Sequence, residues 1–220
     1  MRLVRRLLVF ALLLALLPVG TALANHLDPQ KKILPADQAR ARAMLLKKAD
    51  LGLAYRADRS SSPDTEVDCA GLDESDLTVT GEAESPTFTL GLSFLSSVAQ
   101  VYGSLADANA SWKRGTGTAG TRCIRETLRR EFAKQGLRLQ SFRKIVFPRV
   151  SQQTVAYRIA LSASVQGQEV PLYVDLVVLM QSRAHVALYF GSGLAPAARA
   201  EELRLARLAA GRMAKAMRGS

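Results

Sequence analysis

The stretch TVAYRIALSASV, residues 154–165, places an apolar side chain at every second position. Successive side chains on a β-strand point to opposite faces, so this spacing predicts a strand with one buried face. The apolar positions are Val155, Tyr157, Ile159, Leu161, Ala163 and Val165. Two more apolar segments follow, LYVDLVVLM (172–180) and HVALYF (185–190), separated by the turn-forming runs QGQ and QSR. Together they predict an antiparallel meander.

Further elements are predicted on both sides of the meander. LRLQSFRKIVF (137–147), DLTVTG (76–81) and PTFTLGLSF (86–94) each predict a strand, and SSVAQVYG (96–103) continues or restarts the last of these. Helical spacing of apolar residues predicts four helices, which begin near Ala36, Ser104, Thr121 and Ala197. Because runs of strands are bordered by helices, the predicted class is α+β, an antiparallel β-sheet with helices packed on it.

The first 24 residues have the pattern of a secretory signal peptide. Arg2, Arg5 and Arg6 precede the apolar run Leu7–Leu17, and Ala22-Leu23-Ala24 has the small-x-small form of a cleavage site. The alternative is an uncleaved membrane anchor, against which the short apolar run argues. We therefore expect cleavage after Ala24 and a secreted or extracytoplasmic protein. Residues 25–35 are predicted to be a flexible arm, and residues 36–217 a single secreted α+β domain.

The composition favours anionic partners. The formal net charge is +11, which attracts membrane surfaces, acidic polymers and nucleic acid. Nucleic acid is not expected as a partner, since it conflicts with export. The simpler explanation of the charge is solubility. We expect a monomer that binds an unknown small ligand or an anionic component of the cell envelope.

Cys69 and Cys123 are the two cysteines of the chain. In an oxidising compartment an isolated pair is most simply a disulfide. Two free thiols and half of a metal site are the alternatives. No metal is expected, because the two histidines and the two cysteines do not cluster at the spacing of a zinc site.

The segment GTGTAGTRC (115–123) contains glycines at the G-x-G-x-x-G spacing of dinucleotide-binding loops. That motif requires a preceding strand, whereas LADANASWKR (105–114) is helical in pattern. It also requires an acidic residue about twenty positions later, where this chain is basic. We therefore expect no cofactor and interpret the glycines as a helix-to-helix turn.

A basic run extends from residue 122 to residue 149. Within its helical part the candidate anion-docking residues are Arg122, Arg125, Arg129 and Lys134, and the first three share one helical face. Such a face can dock on anionic lipid or on cell-wall polymer. A solvated surface helix is the simpler explanation.

The meander also carries a candidate ligand-binding patch. If QSR forms a tight hairpin centred on Ser182, Asp175 lies opposite Tyr189, and His185 shares their sheet face. Arg158 on the preceding strand approaches the same face. Arg158, Asp175, His185 and Tyr189 then form the patch, although cross-strand polar pairs are more often structural. The patch leaves open a secreted hydrolase that uses His185, but G-x-S-x-G is absent and no catalytic residue is assigned.

Several segments carry a resemblance to a known family. These are the N-terminal signal, AQVYGSLADANASW (99–112) as a strand leading into a helix, Cys123 opening a helix, and VDLVVLMQSRAHVALYFGSG (174–193) before a final amphipathic helix. In these features the chain resembles small exported bacterial proteins of the LpqN type and the extracellular sensor domains of PknH-type receptor kinases. The resemblance covers roughly residues 36–217 and implies a PsbP-like α/β/α sandwich outside the membrane. It also implies binding or sensing in place of catalysis. Unlike the lipoprotein members, this chain has no lipidation cysteine.

Overall fold

The computed structural model describes residues 27–58 and 69–218. Their fold is α+β, as the sequence predicts, with a mixed, mostly antiparallel sheet and helices on both of its faces. The predicted signal peptide lies outside the described residues. Among the described helices, none has the length and apolar character needed to cross a bilayer.

The sheet contains nine strands in the described part of the chain, in the order β1-β3-β5-β9-β8-β7-β6, with β4 beside β5 and β2 beside β4. All pairs are antiparallel except β1 with β3. The strands are β1 (Gln30–Lys31), β2 (Arg56–Asp58), β3 (Thr78–Glu84), β4 (Thr87–Leu90), β5 (Ser93–Tyr102), β6 (Leu137–Lys144), β7 (Gln153–Val165), β8 (Gln168–Gln181) and β9 (Ala184–Gly193).

The meander predicted from residues 137–190 is present as β6 to β9. Gln166 and Gly167 form the two-residue turn between β7 and β8, both at positive φ (54° and 78°), which suits the right-handed twist of a hairpin. The next hairpin also has a two-residue turn, because Gln181 pairs with Ala184. The predicted turn centred on Ser182 is therefore wrong by one residue. This shift changes which side chains share a face.

Two predictions about the N-terminal half are corrected. PTFTLGLSF is not one strand: the chain reverses at Gly91 (φ 60°), and β4 pairs antiparallel with the start of β5. The described part of the predicted flexible arm is attached to the sheet. Gln30 and Lys31 pair with β3, and Leu34 donates a backbone hydrogen bond to Thr80 at 2.8 Å.

Helices cover both faces of the sheet. They are α1 (Pro35–Met44), α2 (Leu105–Thr116), α3 (Thr118–Lys134) and α4 (Arg199–Ala216). On one face, α1 and α4 bury apolar side chains such as Met44 and Leu205 against Val177, Leu179 and Leu188 of the sheet. The opposite face is covered by α2 and α3, whose apolar residues pack on β6, β7 and β8. This arrangement puts every candidate site either between a helix and the sheet or on a helix surface.

The glycine segment 115–120 joins α2 to α3 through a single residue, Gly117. A Cβ at Gly120 would lie 1.9 Å from the carbonyl oxygen of Arg114, so the close approach of the two helices requires glycine there. Gly115 lies inside α2, so helix precedes the motif where a dinucleotide-binding loop has a strand. The helix-to-helix interpretation of these glycines fits this geometry.

Cys69 and Cys123 lie at disulfide distance, with Cα atoms 6.1 Å apart. Cys69 precedes a short 3-10 turn (Ala70–Leu72) that rests against α3. Cys123 is buried in the second turn of α3, which begins at Thr118. The prediction that Cys123 opens the helix is therefore wrong.

Candidate functional site

The four residues of the predicted ligand patch are divided between the two faces of the sheet. Arg158 and Asp175 lie directly opposite each other on β7 and β8. Asp175 pairs with Phe190, and Tyr189 pairs with Leu176 instead. As a result, Arg158 and Asp175 face α4, whereas His185 and Tyr189 face the side covered by α2 and α3. The predicted patch therefore does not form, because the one-residue difference in register moves alternate side chains to the other face.

Arg158 and Asp175 instead belong to a cluster of four charged residues beneath the start of α4. The guanidinium of Arg158 donates to both carboxylate oxygens of Asp175, at 2.7 and 2.5 Å. Glu202 of α4 lies beside the Asp175 carboxyl, near enough for a hydrogen bond between the two acids when one of them is protonated. Arg199, one turn earlier on α4, donates to Glu202 Oε2 at 3.0 Å. We call these four residues the carboxyl cluster.

Both acids of the carboxyl cluster are completely buried. Asp175 and Glu202 have no exposed surface, while Arg158 and Arg199 retain 20% and 40% of their side-chain exposure. Oε1 of Glu202 has no hydrogen-bond partner among the described residues, if both acids are ionised. Burial, followed by the adjacent Asp175, raises the pKa of Glu202 to about 7. A proton on Glu202 resolves the geometry, since two buried carboxyls in contact cannot both ionise without strong repulsion.

Arg199 is held from a second side by an aromatic ring. Its guanidinium carbon lies 4.1 Å from the centroid of the Phe147 ring. Phe147 belongs to the segment between β6 and β7 and packs against the core under α4. The cation–π contact adds to the ion pair with Glu202 and fixes the guanidinium at the mouth of the cluster.

Glu202 and Arg199 were missed at the sequence level. A signal for Glu202 was present: it lies three and four positions before Leu205 and Ala206, which are buried on the apolar face of α4. An acidic residue on the buried face of a helix requires a partner. The sequence does not show that this partner comes from β8.

His185 is enclosed between β9 and α2. The Tyr102 ring centroid lies 4.9 Å from that of His185, and the Trp112 centroid lies 5.8 Å from it. Burial lowers the pKa of His185 to about 4, although a hydrogen bond to the backbone of Ala108 opposes this effect. In the described part of the chain its buried Nε2 has no hydrogen-bond partner.

The four predicted anion-docking residues of α3 are all exposed, but they differ in whether an acidic side chain pairs with them. Arg122, Arg125 and Arg129 are exposed, and no carboxylate of the described residues lies within 4.0 Å of them. Lys134 is also exposed, but its Nζ pairs with Glu131 at 2.8 Å. We call the three unpaired arginines the basic surface. Arg125 donates a hydrogen bond to the backbone carbonyl of Phe142 at 3.4 Å, but no acidic side chain among the described residues neutralises the charge of the three arginines.

Surface grooves lie beside α3 and beside α4, one at each helix. The smaller, of about 230 Å³, lies between α3 and β6 and includes two arginines of the basic surface. Its lining residues are Arg125, Arg129, Leu139, Gln140, Ser141 and Phe142. The larger, of about 410 Å³, is an open groove beside α4, bordered by Arg149 and Arg207. Neither groove includes a member of the carboxyl cluster.

No group of three or more histidine, cysteine or acidic side chains in the described ranges is arranged to hold a metal ion. The carboxyl cluster has two acids, and each already has an arginine partner. Its chemistry is therefore that of proton exchange and ion pairing.

No protein-family model matches the sequence, and a search of curated proteins finds no match.

Proposed function

We propose that this chain is an exported, non-catalytic binding protein that docks on an anionic component of the cell envelope through the basic surface of α3. Export rests on the N-terminal sequence pattern, and a disulfide-distance cysteine pair supports an oxidising compartment. The resemblance to LpqN-type proteins and to PknH-type sensor domains, with their PsbP-like fold, supports binding or sensing in place of catalysis.

The observation that carries the proposal is that Arg122, Arg125 and Arg129 lie together on one face of α3 without an acidic partner among the described residues. Two other exposed arginines are neutralised locally: Arg138 pairs with Glu169 at 2.9 Å and Arg204 with Glu201 at 2.7 Å. On α3, three guanidiniums on one helical face lack such a partner in the described part of the chain. A row of unpaired cations attracts a negatively charged surface at about 1 kcal/mol per residue.

Co-sedimentation with lipid vesicles tests the proposal. Vesicles of phosphatidylglycerol and phosphatidylcholine should bind the protein, pure phosphatidylcholine should not, and added salt should weaken binding by screening. The variant R122Q/R125Q/R129Q should lose on the order of 100-fold in affinity, from three charges of about 1 kcal/mol each.

The control variant removes equal charge from the opposite face of the molecule. Arg42 of α1 and Arg207 and Lys215 of α4 are exposed, so R42Q/R207Q/K215Q has the same net charge as the α3 variant. It should bind vesicles much more tightly than the α3 variant does. Equal loss in both variants would show that net charge alone drives binding, and unchanged binding by the α3 variant would overturn the proposal.

A further inference from the structure

The carboxyl cluster joins α4 to the sheet at a point where the rest of the contact is apolar. Leu205, Ala206 and Ala209 of α4 are buried against the sheet core. Before them along the helix, Glu202 is the buried polar residue, and it meets Asp175 of β8. The protonation of this pair therefore affects how closely the first turns of α4 pack on the sheet.

The contact is complete only while it holds a proton. A proton on Glu202 supplies the donor that a hydrogen bond to the adjacent Asp175 carboxylate requires, and each acid keeps its arginine. Without the proton, Oε1 has no donor among the described residues, and two buried carboxylates face each other. The nearest cation on the same helix is Arg199, which is already engaged with Oε2 and with the Phe147 ring.

We propose that the Asp175–Glu202 pair is a proton-operated latch. While it keeps its proton it holds the first turns of α4 against β8, and when the proton leaves, those turns loosen. The protein thus responds to pH around neutrality through a site separate from the basic surface. An exported protein is exposed to external pH directly, without cytosolic buffering.

The groups that face Glu202 come from every element around it. Arg158 approaches from β7, Asp175 from β8, and Arg199 from α4 itself, while Tyr173 of β8 acts on Arg158. The two arginines and the positive N-terminal end of α4 favour an ionised Glu202. Burial and Asp175 oppose ionisation and outweigh these effects, as the raised pKa of Glu202 shows.

The sign of the pH effect follows from this balance. Between the ordinary glutamate pKa of 4.5 and the folded value of about 7, the folded protein keeps a proton that the unfolded chain has released. The stabilisation is therefore complete below the ordinary pKa and is lost as the pH rises through about 7.

Thermal unfolding of three proteins tests the latch. In E202Q the amide is a permanent donor to Asp175, and E201Q changes the neighbouring exposed glutamate as a control. From about pH 5.5 to about pH 8.5 the Tm of the natural protein should fall by roughly 3–6 °C relative to E202Q. E201Q should follow the natural protein. His185, which titrates in the opposite sense at lower pH, is present in all three proteins and cancels. Parallel curves for the natural protein and E202Q would overturn the proposal.

Amide hydrogen exchange, corrected for the intrinsic effect of pH, locates the change. Protection of residues 199–206 should fall above neutral pH in the natural protein while protection of β8 is retained, and E202Q should show no such loss. Equal protection of α4 at both pH values would contradict a latch. If E202Q does not fold, a carbon-13 NMR titration of the natural protein tests the proposal by measuring the pH at which the Glu202 carboxyl loses its proton. A midpoint near 7 supports the proposal, and one in the ordinary glutamate range refutes it.

Discussion

At residue 191, a glycine leaves room for an aromatic ring on the adjacent strand. Gly191 of β9 lies opposite Phe94 of β5, and a Cβ at residue 191 would be 1.8 Å from a carbon of that ring. The ring therefore covers the glycine and occupies the volume that a side chain would need, an arrangement used to pin the register of β-sheets.

We expect Gly191→Ala to destabilise the protein by about 1–3 kcal/mol, because the Phe94 ring must leave its position. Urea denaturation measures the change. Gly211→Ala is the matched control: no atom lies within 4 Å of its added Cβ, and alanine favours the interior of α4 by about 1 kcal/mol. In the background of Phe94→Ala the effect of Gly191→Ala should largely disappear. If it persists undiminished, the ring is not the cause.

Register at single residues also explains what the sequence did not predict. Alternating apolar residues identify β7, β8 and β9, but the run QSR is compatible with a turn centred on Ser182 or with the observed turn at Ser182 and Arg183. These differ by one residue in pairing, and each puts a different set of side chains beside Asp175. The cluster around Asp175 has a second cause that the sequence does not show: Glu202 reaches Asp175 only because α4 packs over β8.

At the scale of elements, a buried ion pair connects α1 to the β8–β9 hairpin. Asp37, in the first turn of α1, is 2% exposed and accepts two hydrogen bonds from Arg183, both at 2.8 Å. Thr80 of β3 donates to the same carboxylate at 2.6 Å. Arg183 also donates to the backbone carbonyl of Tyr102 at 2.7 Å. One guanidinium thus joins three parts of the sheet to the helix, and it holds the pKa of Asp37 well below its usual range.

Arg183→Met should cost up to about 3–5 kcal/mol, because the buried Asp37 carboxylate loses its main partner and keeps only the ion pair with Arg40, at 2.6 Å. The double variant D37N/R183M should be more stable than R183M alone, since it also removes the buried carboxylate that Arg40 alone would have to neutralise. Chemical denaturation of both variants at neutral pH provides the comparison. A double variant as unstable as the single one would mean that the bonds to Tyr102 and Thr80, and not the charge, account for the loss.

At the scale of the whole molecule, sequence patterns predicted the fold class well and the connections less well. The antiparallel meander, the four helices and the α+β class follow from hydrophobic periodicity, which is a local signal. The alternation of PTFTL continues through LGLSF, so the sequence predicts one strand where the chain forms a hairpin at Gly91. The pairing of β1 with β3 is a long-range contact of a two-residue strand, too short for any periodic signal.

The crosslink between Cys69 and Cys123 lowers the conformational entropy of the unfolded chain, because it closes a long loop there. Cys69 and Cys123 are 54 residues apart in sequence, so the chain-entropy estimate gives a stabilisation of about 4 kcal/mol. C69S/C123S should lose about this amount in urea denaturation, and reduction of the natural protein should reproduce the loss. The serine variant should be insensitive to reductant. A natural protein unaffected by full reduction would show that the crosslink contributes nothing to stability.

Strand β6 ends the sheet, pairing only with β7 among the described residues. Arg138 of this strand pairs with Glu169 at 2.9 Å, whereas Arg143 and Lys144 project from it as exposed cations. If two copies met edge to edge, these cations would repel each other before backbone hydrogen bonds formed. The border is thereby protected against fibrillar self-assembly. Polyanions in the surroundings would neutralise that charge and remove the protection.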